Sequence, residues 1–260
     1  VIYSMTNALS LKQIASYEEV LFEIFGKVLT YDDDEVRISF AKYAIYSLFF
    51  LSKDPLYKDI IESGLFRASM DFIEYEETAS FTTLLSIQML QTSSEDNEYL
   101  EMVKPLLPLT KSHYYFLETK DPQLLRYILT LFTNSICFDL SLGPEGELKL
   151  TELLSSESDL ERLNELIESD TQDIQYRAIW CIWNMLRFGE FDVLTNILNY
   201  GQLSETLIDL SFDSEDISFI KSVLVPSIIS VSKSIQAQGQ SENDPYSSFL
   251  QSLIDPLKQL

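Results

Sequence analysis

Apolar residues recur at steps of three and four along this chain, which is the spacing that buries one side of an α-helix. The spacing is clearest in Val36–Leu51. It recurs in three other segments: Glu19–Leu29, Leu153–Ile167 and Ile174–Leu186. The alternation of apolar and polar residues that marks strands joined by tight glycine turns does not occur. The sequence therefore predicts an all-α protein.

Composition narrows the functional classes. Among 260 residues, 41 Asp and Glu stand against 18 Lys and Arg, for a formal net charge of −23. A charge of this sign repels phosphate backbones and attracts basic peptides, so we expect no nucleic-acid partner. The longest apolar stretches are about ten residues, whereas a membrane helix needs about 20, so we expect no membrane span. Two cysteines are too few for a disulfide scaffold, which favours a reducing compartment.

Comparing the chain with itself reveals a repeat. The segments Ala41–Leu48 and Ala178–Met185 both place an aromatic residue two positions after an alanine and a Ser or Asn four positions after that aromatic. In both, a glycine follows the Ser or Asn after 17 residues, at Gly64 and Gly201. Both glycines suit the left-handed backbone that often ends a helix. The match indicates one helical module used at least twice.

The Ser or Asn position predicts about six such modules. Its candidates, spaced 39 to 50 residues apart, are Asn7, Ser47, Ser86, Asn134, Asn184 and Ser227. Armadillo and HEAT repeats are about 40–47 residues long, and we expect longer loops at Leu140–Glu147 and Ser155–Asp159 to lengthen two of the intervals. The predicted fold is an all-α, armadillo/HEAT-like, right-handed α-solenoid, in which each module buries its apolar sides against its neighbours.

The array is predicted to span residues 1–235. Residues 236–245 have linker composition, and residues 246–260 are expected to form a C-terminal helix or capping segment. Because the chain opens at Val1 in the middle of a repeat pattern, we expect it to be a fragment of a longer protein.

Residues four apart on a helix project from the same side, so each aromatic residue is expected to lie beside its Ser or Asn. The candidate peptide-binding residues are Tyr3 with Asn7, Tyr43 with Ser47, Trp180 with Asn184, and Asn134, which has Thr130 in place of the aromatic. An amide both donates and accepts hydrogen bonds and can hold a peptide main chain, while rings can flank a lysine stem. The alternative is that the rings pack in the core and the amides satisfy nearby backbone groups.

These residues resemble the armadillo proteins of the importin-alpha type. Ala178, Trp180, Asn184 and Gly201 match the Trp-x-x-x-Asn pattern of the third helix in that family's repeats. The Tyr3/Asn7 and Tyr43/Ser47 pairs match it with substitutions. Arg177, three residues before Trp180, is a departure, because the family usually has an acid there.

The resemblance implies a non-enzymatic adaptor of cytoplasm and nucleus. It would bind lysine- and arginine-rich nuclear localisation signals in an acidic concave groove for import into the nucleus. It also implies an importin-beta-like carrier, which in this family engages a basic arm that these residues do not contain. The alternative is an armadillo/HEAT scaffold or chaperone-type regulator that docks a folded partner protein.

The sequence contains no recognisable catalytic or cofactor motif. His113 is the only histidine, and no nucleophile stands in a strained-turn motif to partner it. Cys137 and Cys181 are 44 residues apart with no second ligand beside either, so we expect no metal site and assign both to small core positions. We therefore predict no enzyme activity, no cofactor and no metal.

Overall fold

The computed structural model of the chain describes residues 17–53, 56–142 and 148–200. Its α-helices are α1 (Glu18–Leu29), α2 (Asp34–Leu51), α3 (Tyr57–Glu62), α4 (Leu65–Met70), α5 (Glu76–Ser93), α6 (Asn97–Val103), α7 (Leu109–Glu118), α8 (Pro122–Cys137), α9 (Leu150–Leu153), α10 (Glu157–Ile167), α11 (Gln172–Phe188) and α12 (Phe191–Asn199). Short 3-10 helices follow α4 and α6, at Asp71–Glu74 and Lys104–Leu106. Two two-residue strands, β1 (Ser141–Leu142) and β2 (Leu148–Lys149), pair with each other. The prediction of an all-α fold is confirmed.

The chain divides into two compact units. Unit 1 comprises the residues up to Ser135 together with Leu142–Glu145, and unit 2 comprises Ile136–Ser141 and the residues from Gly146. Within each unit the helices come as two short ones followed by a long one. In unit 1 the triplets are α3, α4, α5 and α6, α7, α8, and in unit 2 the triplet is α9, α10, α11. The long helix α2 follows α1 in the same manner.

The core of unit 1 forms where long helices pack side by side, as α2 packs on α5. From α2, Ile45 and Leu48 are fully buried, and from α5, Leu85 and Met89 are fully buried. Burying one such side chain stabilises the fold by about 1.5–3 kcal/mol. Ile45 and Leu48, which belong to the predicted helical spacing of α2, are therefore among the residues that hold neighbouring helices together.

Helix α2 begins within a run of acidic residues, Asp32–Asp34. Asp33 caps it: its carboxylate accepts a hydrogen bond from the backbone N–H of Val36 at 3.1 Å. Asp34 and Glu35 occupy the first turn, where negative charge favours the positive end of the helix dipole. The helix that the spacing predicts over 36–51 is thus extended by two residues at its start, because its capping residue is Asp33.

Gly64 connects α3 to α4 in the left-handed conformation predicted for it, with φ at +77°. Its backbone N–H donates to the carbonyl of Ile61 at 3.0 Å, so it closes the end of α3. A Cβ added there would meet no atom within 4 Å, so only the backbone conformation favours glycine.

We expect Gly64→Ala to lower the free energy of unfolding by about 1–2 kcal/mol, because the left-handed conformation costs a residue with a Cβ about this much energy. Gly26→Ala is the matched control: Gly26 lies inside α1, and a Cβ there would touch only Leu65 at an ordinary 3.9 Å. That change should raise stability by roughly 0.5–1 kcal/mol, since alanine favours helix. Chemical denaturation of both variants provides the measurement. Equal shifts of the same sign would contradict this account of Gly64.

In unit 2 two side-chain amides connect α11 and α12 to earlier segments of the unit. The amide of Gln175 on α11 donates to the carbonyl of Ile167 at the end of α10 at 2.7 Å. The amide of Asn196 on α12 donates to the hydroxyl of Ser155 at 3.3 Å. The Gln175 bond satisfies a carbonyl at the end of α10, which otherwise lacks a partner within its own helix. The Asn196 bond connects α12 to the segment between α9 and α10.

The structure corrects three details of the sequence prediction. The loop expected at Ser155–Asp159 is shorter, because α9 ends at Leu153 and Ser156 caps α10 by accepting from the N–H of Asp159. The strands β1 and β2, at the ends of the predicted loop 140–147, were not predicted. Cys137 is exposed, whereas Cys181 is buried as expected.

Other predictions lie outside the described residues. Among them are the linker-like 236–245, the segment 246–260, Gly201, and the Ser227 module. In the described ranges, none of the helices is long and apolar enough to cross a membrane. Within the same ranges, no three His, Cys, Asp or Glu side chains come together as a metal site.

Candidate functional site

Each long helix turns an equivalent row of side chains away from the core. In every row the members are exposed or half-buried, and each lies within four residues of the next. We call these rows the long-helix face. Its members are Val36, Ser39, Phe40, Tyr43, Tyr46 and Phe50 on α2; Glu77, Ser80, Phe81, Leu84, Gln88 and Gln91 on α5; Gln123, Arg126, Tyr127, Thr130, Thr133 and Asn134 on α8; and Asp173, Tyr176, Arg177, Trp180, Trp183 and Arg187 on α11.

The first four members of each row follow the same spacing, which fixes the register of the repeat. Tyr43, Leu84, Thr130 and Trp180 occupy the same place in their rows. The register agrees with the predicted pairs on α2, α8 and α11. On α5 it differs by two residues, so that the equivalent of Asn184 is Gln88.

Ser86, the position that the sequence favoured on α5, lies in the core. Its side chain is fully buried, and its hydroxyl donates to the carbonyl of Thr82 at 2.9 Å and lies 3.3 Å from the sulfur of Met70. A serine that bonds its own helix in this way can be buried at little cost. The sequence therefore offered a polar residue at helical spacing that does not belong to the face.

On α2 and α5, which pack together in unit 1, the face is rich in rings. Phe40 is 56% exposed and Tyr43 is 52% exposed. Tyr46 meets Phe81 edge-on, with 5.5 Å between ring centroids. Leu84 continues the apolar surface on α5. We call these five residues the aromatic patch; the sequence predicted only Tyr43 among them.

The Tyr43/Ser47 pair separates, in contrast to the prediction that both side chains project together. The Tyr43 ring is exposed, and the Lys42 ammonium lies 5.1 Å from its centroid. Ser47 is only 1% exposed, and its hydroxyl donates to the carbonyl of Tyr43 at 2.7 Å. The ring is therefore open to a ligand, whereas the hydroxyl belongs to its own helix.

On α8, Asn134 is half-buried in the row, and Thr130 stands where other rows have a ring or a leucine. The Thr130 hydroxyl donates to the carbonyl of Arg126 at 2.8 Å. The amide nitrogen of Asn134 is enclosed, and it has no hydrogen-bond acceptor in the part of the chain that the structure describes. Because this donor is enclosed, a ligand would contact Asn134 through its side-chain oxygen, which accepts hydrogen bonds.

In unit 2 the Trp180/Asn184 pair also divides its roles. Trp180 is half-buried and meets Trp183 edge-on, with ring centroids 4.7 Å apart and an interplanar angle of 79°. Asn184 is 2% exposed, and its amide donates to the sulfur of Cys137 at 3.1 Å. The indoles reach the surface, whereas the amide bridges α11 to the end of α8.

The two thiols differ in environment. Partial burial raises the pKa of Cys137, although the nearby Arg187 charge and the Asn184 hydrogen bond oppose this. Complete burial, with a smaller contribution from the charge of Asp159, raises the pKa of Cys181 to about 12. Both thiols are therefore protonated at neutral pH, and neither is poised as a nucleophile.

The negative charge is not carried by the long-helix face. Helices α2, α5, α8 and α11 together contain five acidic and five basic residues, so their formal charges cancel. The shorter helices and the 3-10 turns contain sixteen acidic residues against six basic ones. These four helices therefore do not supply the acidic groove that the net charge of −23 suggested.

The remaining site predictions fall elsewhere. Tyr3 and Asn7 lie outside the described residues. His113 is half-buried on α7, and its ring stacks on Phe116 with centroids 6.4 Å apart.

Comparison with known proteins identifies the fold. No protein-family model matches the sequence, and no curated protein matches it. Solved structures do match, and all those compared below are designed proteins. A designed armadillo repeat protein is 14% identical, with a TM-score of 0.58 over 91% of this chain and 99% of that one. A second, in complex with the peptide (KR)4, is 15% identical, with a TM-score of 0.59 over 92% and 98%.

A further match is described as a computationally designed armadillo repeat protein for modular peptide recognition. It is 15% identical, with a TM-score of 0.59 over 90% of this chain and 98% of that one. At these identities the likeness establishes the fold alone. The chain is an all-α solenoid with the armadillo repeat fold.

Proposed function

We propose that this armadillo-fold chain is a non-enzymatic scaffold whose units each bind an extended peptide segment on their own part of the long-helix face. The observation that carries the proposal is the repetition of one open row, in one register, on α2, α5, α8 and α11. A peptide in extended form repeats its side chains at regular intervals, so a repeated surface suits it better than a compact ligand. Two of the designed proteins with this fold are described as peptide complexes or peptide recognition modules.

The rows supply both kinds of contact that a peptide needs. In unit 1 the exposed rings of Phe40 and Tyr43 offer apolar surface with little conformational entropy to lose. The side-chain oxygens of the half-buried Gln88 and Asn134 can accept hydrogen bonds from a peptide main chain. We assign ring contacts to Tyr43 and Trp180 and main-chain contacts to Asn134. Ser47 and Asn184 support the face from inside.

We extend the proposal to lysine- and arginine-rich peptides, and to nuclear import of proteins that carry them. This extension is supported by individual carboxylates rather than by the net charge of the chain. Glu76 and Glu77 are exposed in the first turn of α5, and Glu77 lies one turn before Phe81. A lysine stem packed on the aromatic patch can direct its ammonium toward them. The (KR)4 complex of a similar fold adds to this support, as does the importin-alpha resemblance.

We expect fluorescein-labelled (KR)4 to bind with micromolar affinity at low salt. Because the interaction includes exposed charges, binding should weaken severalfold between about 0.02 M and 0.15 M ionic strength. Fluorescence anisotropy measures this, with a glycine–serine octapeptide as the uncharged control. Absence of saturable (KR)4 binding at low salt would remove the basic-peptide function. A folded partner that binds where (KR)4 does not would instead support the docking-scaffold alternative.

A further inference from the structure

The two tryptophans of the chain lie together on α11, in unit 2. Trp180 and Trp183 are both half-buried and meet edge-on at 4.7 Å. The sequence contains no third tryptophan. The pair forms an apolar surface on the long-helix face of unit 2. The charges beside it determine which side chain of a ligand can bind there.

Arg187 lies one turn after Trp183 and is exposed. Its guanidinium carbon lies 5.4 Å from the Trp183 ring centroid and 4.9 Å from that of Phe188. Stacking on rings holds a guanidinium in place, so less rotamer freedom is lost when it binds a carboxylate through two parallel N–H donors. In the described part of the chain, no carboxylate pairs with Arg187.

Arg177 provides a second positive charge, three residues before Trp180. Its Nε lies 3.1 Å from the carboxylate of Asp173, which offsets it. Beyond the other end of α11, Lys149 pairs with Glu190 at 2.9 Å and with Asp139 at 3.4 Å. The row on α11 thus carries two guanidiniums and one carboxylate, in contrast to the net charge of the chain. A lysine ammonium placed on the indoles would approach these cations, whereas a carboxylate would be attracted.

We propose that the Trp180/Trp183 surface selects an acidic side chain of the bound peptide, with Arg187 as its counter-charge. This rests on the proposed function and deepens it, because it gives the two units opposite preferences. The occupant is an extended peptide in which a Glu or Asp neighbours an apolar residue. The apolar residue packs on the indoles, and the carboxylate receives the Arg187 guanidinium.

Ionic quenching of tryptophan fluorescence tests the local charge directly, since both emitters belong to this surface. With each quencher normalised to its effect on free N-acetyltryptophanamide, we expect iodide to quench at least about twofold more efficiently than caesium, because a positive neighbourhood concentrates anions. Arg187→Gln should remove most of that preference, whereas Arg67→Gln, an equal change of charge at an exposed residue of α4, should leave it unchanged. More efficient quenching by caesium in the unmodified protein would overturn the proposal.

Peptide titration tests the selectivity. An octapeptide of alternating Glu and Leu should change tryptophan emission saturably at 0.15 M ionic strength, whereas its Lys–Leu counterpart should not. Arg187→Gln should weaken Glu–Leu binding severalfold, with circular dichroism confirming an unchanged fold. A response to Lys–Leu alone, or an unaffected Arg187→Gln variant, would overturn the inference.

The outcomes also separate this inference from the proposed function. If (KR)4 binds by anisotropy and Glu–Leu leaves the tryptophans unchanged, the inference fails and peptide binding stands. If no peptide binds by either readout, both fail together.

Discussion

Replacing Phe40 and Tyr43 together with alanine is expected to weaken (KR)4 binding at least about tenfold, while the free energy of unfolding changes little. Both rings are more than half exposed, so their removal opens no core cavity. Aromatic side chains are frequent hot spots of binding, and loss of about 1.4 kcal/mol between the two corresponds to a factor of ten. Anisotropy titration and chemical denaturation provide the two measurements.

Tyr114→Ala is the matched control. Tyr114 is 55% exposed, close to the 52% of Tyr43, and the Lys111 ammonium lies 5.0 Å from the centroid of its ring. Unlike Tyr43, Tyr114 lies on the short helix α7. Its loss should leave (KR)4 affinity within about twofold, since it lies outside the long-helix face. If Tyr114→Ala weakens binding as much as the double variant, peptide does not select the long helices.

Leu48→Ala should lower the free energy of unfolding by about 2–5 kcal/mol, because Leu48 is fully buried and the change leaves a cavity. Tyr43→Ala, on the same helix but in the open row, should change it by less than about 0.5 kcal/mol. Both changes truncate a large side chain on the same helix, one at a buried position and one at an exposed position. Denaturation midpoints that fall equally in both variants would contradict the register assigned to α2.

Helix positions were predictable because burial imposes a period on the sequence. The apolar spacing of α2, the cap at Asp33 and the left-handed Gly64 follow from local chemistry, and all three are found. The register on α5 was not predictable in the same way. There the buried side carries Thr83 and Ser86, whose hydroxyls donate to carbonyls four residues earlier. Such residues look polar in the sequence yet are satisfied inside the core.

The candidate site was predictable only in part. Tyr43, Asn134 and Trp180 belong to the open rows, but Ser47 and Asn184 are buried beneath them. Residues four apart project from the same side of a helix but in slightly different directions. That difference decides whether a side chain meets solvent or a neighbouring helix. Phe40 and Phe81 were missed because an aromatic residue at helical spacing usually signals core.

Net charge was a poor guide to the face, because a total does not say which helices carry it. Among the helices that the structure describes, the excess acid lies on the short ones, and α11 places Arg177 and Arg187 beside its tryptophans. The local charge therefore differs from row to row. In our proposal the sign of the preferred side chain is a property of each row rather than of the whole chain.

Photo-crosslinking can locate the bound peptide: (KR)4 carrying one benzoylphenylalanine is bound and irradiated, and the adducts are located by mass spectrometry. If peptide binds the long-helix face, we expect adducts on α2 and α5, concentrated at Phe40, Tyr43, Phe81 and Leu84, and suppressed by excess unlabelled (KR)4. Adducts concentrated instead on the acidic short helices, such as α10, would contradict it.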